Sequence, residues 1–323
     1  MSRIIKFGSC YLEVLDHYIL LVEYNLAIAS KDRQSLFAAL QGGARNHTHK
    51  KPNEQNHSAT MSHNHDVKLE VCVDSIASAI AAMEGGASRI ELCSALSEGG
   101  LTPSVGVLKT LKNLPLTIPI YCMLRPRRGN DFVYTDYEMT ALLHDMELLQ
   151  ENGADGFVFG ALTPSREINV EQCQQVLEKA KSLPMTFHRA FDVTNPEKMH
   201  ETTKQIIELG FQRILSSGFR QNALDGLDNL AQLIARHHRD IIIMPGAGIS
   251  ISNLEEILTA TKCVDFHSSA KAGAIDVPDS TDGNSTRMEC DVNMGKQDIL
   301  PYDICDKSVV RKMVAIANSM AEK

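Results

Sequence analysis

Two strand-like segments of this chain each place a carboxylate and a thiol two positions apart. "LEVCVDS" (residues 69 to 75) holds Glu70 and Cys72 with Asp74 next in line, and "RIELCS" (residues 89 to 94) holds Glu91 and Cys93. Side chains two apart on a strand share a face, so each segment predicts an acid and a thiol pointing together. On adjacent strands Cys72 and Cys93 could converge, and two thiolates with Met123 as an additional sulfur would make a soft donor set suited to cuprous ion. The same cysteines also read as small apolar fillers, because free cysteine is among the most buried residue types. A buried carboxylate is costly unless paired. Arg125, which shares a strand face with Met123 in "IYCMLRPRRG", is the expected partner of the interior acids.

A second group lies in "MTFHRAFD", where His188, Arg189 and Asp192 fall at or just after a strand end. A histidine there could serve as a general acid or base near neutral pH, and arginines such as Arg125 and Arg189 could bind an anionic substrate. "PGAGIS" adds Gly246 and Gly248, and "HSSA" adds Ser268 and Ser269, as backbone and hydroxyls able to cradle phosphate. Together these residues describe an enzyme acting on a small anionic or phosphorylated metabolite. They equally describe a satisfied histidine, an ion-paired arginine and turn glycines that need no ligand.

What positions these residues is an alternation of short apolar runs and amphipathic stretches. Strands are expected over 67–73, 89–93, 118–124, 155–160, 184–188, 212–216, 241–245 and 264–268, with helices near 76–84, 104–112, 136–151, 170–181, 196–208, 222–236, 252–260 and 307–320. Alternating strands and helices imply parallel pairing through crossovers, and eight units over residues 66–323 match a closed (β/α)8 TIM barrel. "EGGASRIELC", "ENGADGFVFG" and "ELGFQRILSSG" recur as helix end, glycine and strand. No GxGxxG follows the first strand, which argues against a dinucleotide-binding open sheet.

Residues 1–65 form an N-terminal extension of this α/β domain. Apolar residues at helical spacing over 10–40 fit one or two accessory helices, and 42–66 reads as a disordered linker. That linker carries His47, His49, His57, His63 and His65, a tract able to hold metal loosely. The apolar run 18–29 is broken by Glu23, so no membrane span is expected. The polar stretch 271–306 reads as a long loop that either covers the mouth or stays disordered.

With 323 residues, 43% of them hydrophobic, and a formal charge of −8, the chain fits a soluble globular protein without a broad nucleic-acid surface. Its eight cysteines include no CxxC pair, so reduced thiols in the cytosol are expected.

The series "EVCVDS", "GGASRIELCSALSEGGLTPS", "MLRPRRGNDFVY", "GADGFVFGALT", "TFHRAFD", "RILSSG", "MPGAGI" and "FHSSA" resembles the copper homeostasis protein CutC family, eukaryotic branch, over roughly residues 66 to 320. The resemblance implies a (β/α)8 barrel, a cytoplasmic and in eukaryotes also nuclear location, homo-oligomers that include tetramers, and cuprous ion bound at the positions of Cys72 and Cys93. Residues 1–65 have no counterpart in it.

Overall fold

The computed structural model describes residues 67–271 and 304–321. The strands are β1 Lys68–Val73, β2 Arg89–Leu92, β3 Ile120–Met123, β4 Gly156–Phe159, β5 Met185–Phe187, β6 Arg213–Ser216, β7 Ile242–Pro245 and β8 Asp265–Ser268. The helices are α1 Ile76–Gly85, α2 Val105–Lys112, α3 Asp136–Glu151, α4 Val170–Ala180, α5 Met199–Leu209, α6 Leu227–His237, α7 Leu254–Thr261 and α8 Lys307–Ala321. All ladders are parallel, in the order β7-β6-β5-β4-β3-β2-β1-β8. The ends β7 and β8 lie side by side, and no ladder joins them among the described residues. The expected TIM barrel is therefore present, with one unlaced seam.

Local chemistry explains the punctuation. Ser75 opens α1 by accepting from Ser78 N, and Gly86 closes it at φ 95°, a left-handed turn that glycine adopts without steric cost. Thr135 and Glu138 form a reciprocal capping box at the start of α3. Two details differ from the sequence expectation. The segment expected to open a helix at 196 begins as a 3₁₀ turn, Pro196–Lys198, and α6 starts at Leu227 rather than 222.

Strand alternation divides the interior in two. Leu69, Val71, Ile90, Leu92, Phe157, Phe187 and Phe266 face outward into one apolar layer beneath the helices. The inward set is largely polar. Arg89 bonds Glu70 through Nε, and its Nη2 lies 2.9 Å from Asp265 Oδ2. Arg213 Nε lies 3.3 Å from the same Asp265 oxygen, and its Nη1 reaches Tyr121 Oη at 3.1 Å. Both guanidinium carbons sit over the Tyr121 ring, 5.1 and 5.2 Å from its centroid. The ring fits because β4 offers Gly156 there: a Cβ would lie 2.8 Å from Tyr121.

This network corrects the expectation for Arg125. Glu70 and Asp265 are paired by Arg89, Asp265 also by Arg213, and Glu91 meets His267. Arg125 stands beyond the last residue of β3, a layer higher, where Nη1 donates to the Glu98 and Gly100 carbonyls and Nη2 to Gly129 O.

The expected helices within 10–40, the His-rich linker 42–66 and most of the loop 271–306 fall outside the described residues. At that loop's described ends, Lys271 and Cys305 form an antiparallel bridge, and Asp306 N donates to Ala270 O at 2.9 Å. Among the described residues no helix is long and apolar enough to cross a membrane.

Candidate functional site

A cavity of about 990 Å³ opens at the carboxyl ends of the strands, the end where barrels of this type carry their sites. Cys72, Glu91 and His267 are among the residues that line it. Strand register puts them together: Cys72 is level with Glu91 on β2, and Glu70 is level with His267 on β8. All three project from the inward face, with β1 between the other two strands. One candidate ligand atom from each of Cys72, Glu91 and His267 lies within 4.8 Å of the others.

The electrostatics of this cluster are strongly coupled. His267 Nε2 is 3.0 Å from Glu91 Oε2 and 3.9 Å from Glu70 Oε1. Burial opposes a charge on His267, but its interactions with Cys72 and Glu91 outweigh burial and raise the imidazole pKa well above its usual range. Glu70 Oε1 and Glu91 Oε1 are buried with no hydrogen-bond partner. Unpaired carboxylate oxygens beside a thiol and an imidazole make a donor set that fits a metal cation.

Cys93 stands one step back. Its thiol contacts Glu91 Oε2 at 3.8 Å, and Gly100 packs over it so closely that a Cβ there would lie 3.1 Å from Sγ. It is buried and does not line the cavity. Burial, then Glu91 and Cys72, push its pKa well above the normal thiol value. Met123 does line the cavity, and it packs with Cys93, Tyr121 and Val158 in a small apolar cluster inside the barrel.

Higher in the cavity are Arg125, His188, Arg189 and Asp192. His188 Nδ1 accepts from Ala190 N at 3.2 Å, so a neutral ring carries its proton on Nε2, and that atom is buried without a partner. Burial and the Arg125 charge bring His188 down to about 3. Arg189 and Asp192 are committed to each other at 2.9 Å. Asp192 also accepts from the Ser216 hydroxyl at 2.6 Å and Ser217 N at 2.9 Å, so it pins the turn after β6.

Gly246, Gly248, Ser268 and Ser269 are not among the residues that line this cavity, although Gly246 packs against its wall at Leu215 and His267. Gly246 N donates to Ser216 O, Gly248 O accepts from Asn253, and the Ser268 hydroxyl donates to Ile249 O at 2.7 Å.

Sequence reasoning passed over His267 and Arg89 as site residues. The signal was present in the two-residue spacing of Asp265 with His267 and of Arg89 with Glu91. It becomes readable only once β8 is known to pair with β1.

The CutC family model matches residues 67–272. The chain is 65% identical over 260 residues to the copper homeostasis protein cutC homolog of Drosophila melanogaster, covering 80% of this chain and 98% of that one. It is 47% identical over 205 residues to the homolog of Homo sapiens, covering 63% and 73% of the two chains. Among solved structures, CutC from Streptococcus agalactiae superposes with a TM-score of 0.59 at 31% identity, over 63% of this chain and 98% of that one. A family model that spans every strand of the barrel, together with relatives this similar, establishes that the chain belongs to the CutC family.

Proposed function

We propose that this protein takes part in copper homeostasis by binding cuprous ion at the mouth of its barrel, with Cys72 and Cys93 as thiolate ligands and His267 beside them. The observation that carries this reading is the approach of Cys72, Glu91 and His267 to within 4.8 Å at a cavity wall, with the Cys93 thiol against Glu91. Thiolate and imidazole are the donors that copper favours, and the names of the Drosophila and human relatives point to the same metal. Binding would release the proton shared by His267 and Glu91, so affinity should rise with pH. Cys93 would join the metal once its thiol deprotonates, with the turn at Gly100 moving to admit it.

Anaerobic titration of the full chain with cuprous ion against a competing chelator tests the reading. The variants are Cys72→Ser, Cys93→Ser, His267→Gln and one with His47, His49, His57, His63 and His65 all changed to serine. The expected result is one tight equivalent, lost in Cys72→Ser, weakened in Cys93→Ser and retained without the five histidines. Tight binding that survives both serine changes would overturn it. So would a mouth site that holds zinc in preference to cuprous ion.

A further inference from the structure

We propose that the upper part of the mouth cavity is a binding site for a small oxyanion, a carboxylate or phosphoryl group, held by Arg125 with His188 and approached past Arg220. This goes beyond the copper reading and uses none of its ligands.

Charge pairing within the cavity carries the argument. Of its arginines, Arg128 is paired with Glu98 at 3.2 Å and Arg189 with Asp192 at 2.9 Å. Among the described residues, Arg125 and Arg220 have no carboxylate partner, although both line the cavity. Arg125 is only 7% exposed. A buried cation without a counter-anion is costly, and its carbonyl contacts occupy three of the five N–H groups a guanidinium offers. Nε–H and one Nη2 hydrogen are left, a pair suited to an oxyanion.

His188 supplies an independent observation. It is 4% exposed, lines the same cavity, and presents a buried Nε2–H with no acceptor. Such a donor is costly if nothing ever meets it. The Phe132 ring links the two groups: its centroid is 4.9 Å from the His188 ring and 5.5 Å from the Arg125 guanidinium carbon. Phe132 holds φ at 53°, a conformation bulky residues rarely adopt. In the proposed site the Phe132 ring would turn aside to let a ligand resting on Arg125 meet the His188 Nε2–H. A cavity of about 990 Å³ exceeds the need of a single ion and suits a small metabolite.

The test uses the metal-free full chain, titrated calorimetrically with inorganic phosphate and separately with malonate at fixed ionic strength. Parallel ¹⁵N-histidine spectra follow the His188 imidazole. At least one anion should bind saturably in the millimolar range or tighter and shift the His188 Nε2 signal. Affinity should fall about tenfold or more in Arg125→Gln and His188→Gln, fall several-fold in Arg220→Gln, whose side chain is exposed, and persist in Cys72→Ser. Saturation by phosphate alone identifies a phosphoryl ligand, and by malonate alone a carboxylate. No saturable binding of either anion overturns the proposal. Binding that leaves the His188 signal unmoved and survives Arg220→Gln also overturns it, by placing the anion elsewhere.

Discussion

His267 Nε2 lies 3.0 Å from Glu91 Oε2, a contact that ties the last strand of the barrel to the second across the first. The carboxylate supports a positive imidazole there against the cost of burial. Replacing Glu91 with glutamine keeps the shape and removes the charge. The His267 titration midpoint, followed by histidine NMR, should fall by about one unit or more. An unchanged midpoint would mean that Glu91 does not hold the proton.

Arg89→Met should be among the most damaging changes inside the barrel. It leaves Glu70 and Asp265 without the cation that joins them, at an expected cost of ~3–5 kcal/mol in urea unfolding. Adding Glu70→Gln to the same chain should recover part of the loss. If the double variant is no more stable than the single one, the pairing is not what matters.

His188 makes stability depend on acid in a known direction. Folding lowers its pKa from 6.5 to about 3, so between those values the unfolded chain binds the proton and the folded one does not. Its stabilising contribution is complete above 6.5 and is lost as pH falls, by up to about 1.4 kcal/mol per pH unit. Chemical denaturation across that range should show a shallower acid limb in His188→Gln. Parallel limbs for the two proteins would refute the assignment.

Gly156→Ala should destabilise the barrel by ~1–3 kcal/mol or more. The added Cβ would meet Pro184 O at 2.7 Å and the Tyr121 ring at 2.8 Å, and the backbone oxygen cannot step aside. Gly156→Ala combined with Tyr121→Leu should recover only the share owed to the ring. A fully stable single variant would show that the strand shifts freely.

Thiol reactivity should rank by position. Of the six described free cysteines, Cys72 is half-buried and the other five are buried. Burial raises Cys173 and Cys305 to about 12 and Cys263 to about 11. Mass-mapped alkylation of the native protein should label Cys72 first among these six. Early labelling of Cys93 would show that the turn at Gly100 opens readily.

Much of this was readable in the chain. Periodicity gave the order and approximate limits of all eight strands, because each apolar outward face must meet a helix. The two Glu-x-Cys spacings correctly placed an acid and a thiol inward on neighbouring strands. Local spacing could not reveal closure. His267 meets Glu91 only because β8 returns to β1 after nearly the whole barrel has been traced, and Arg89 outcompetes Arg125 because one layer of strand height separates them. Cys93 looked equivalent to Cys72 because the sequence does not show that the Gly99–Gly100 turn folds back over it.

The seam between β7 and β8 turns the barrel from a welded hoop into a split ring. A hoop laced all round resists any change in circumference, because every strand would have to slide at once. Here His267 rides on the strand at the split, laced to β1 on one side only. A guest held between Cys72 and His267 would pull on the one joint of the ring that no ladder closes, while seven ladders hold the rest in register.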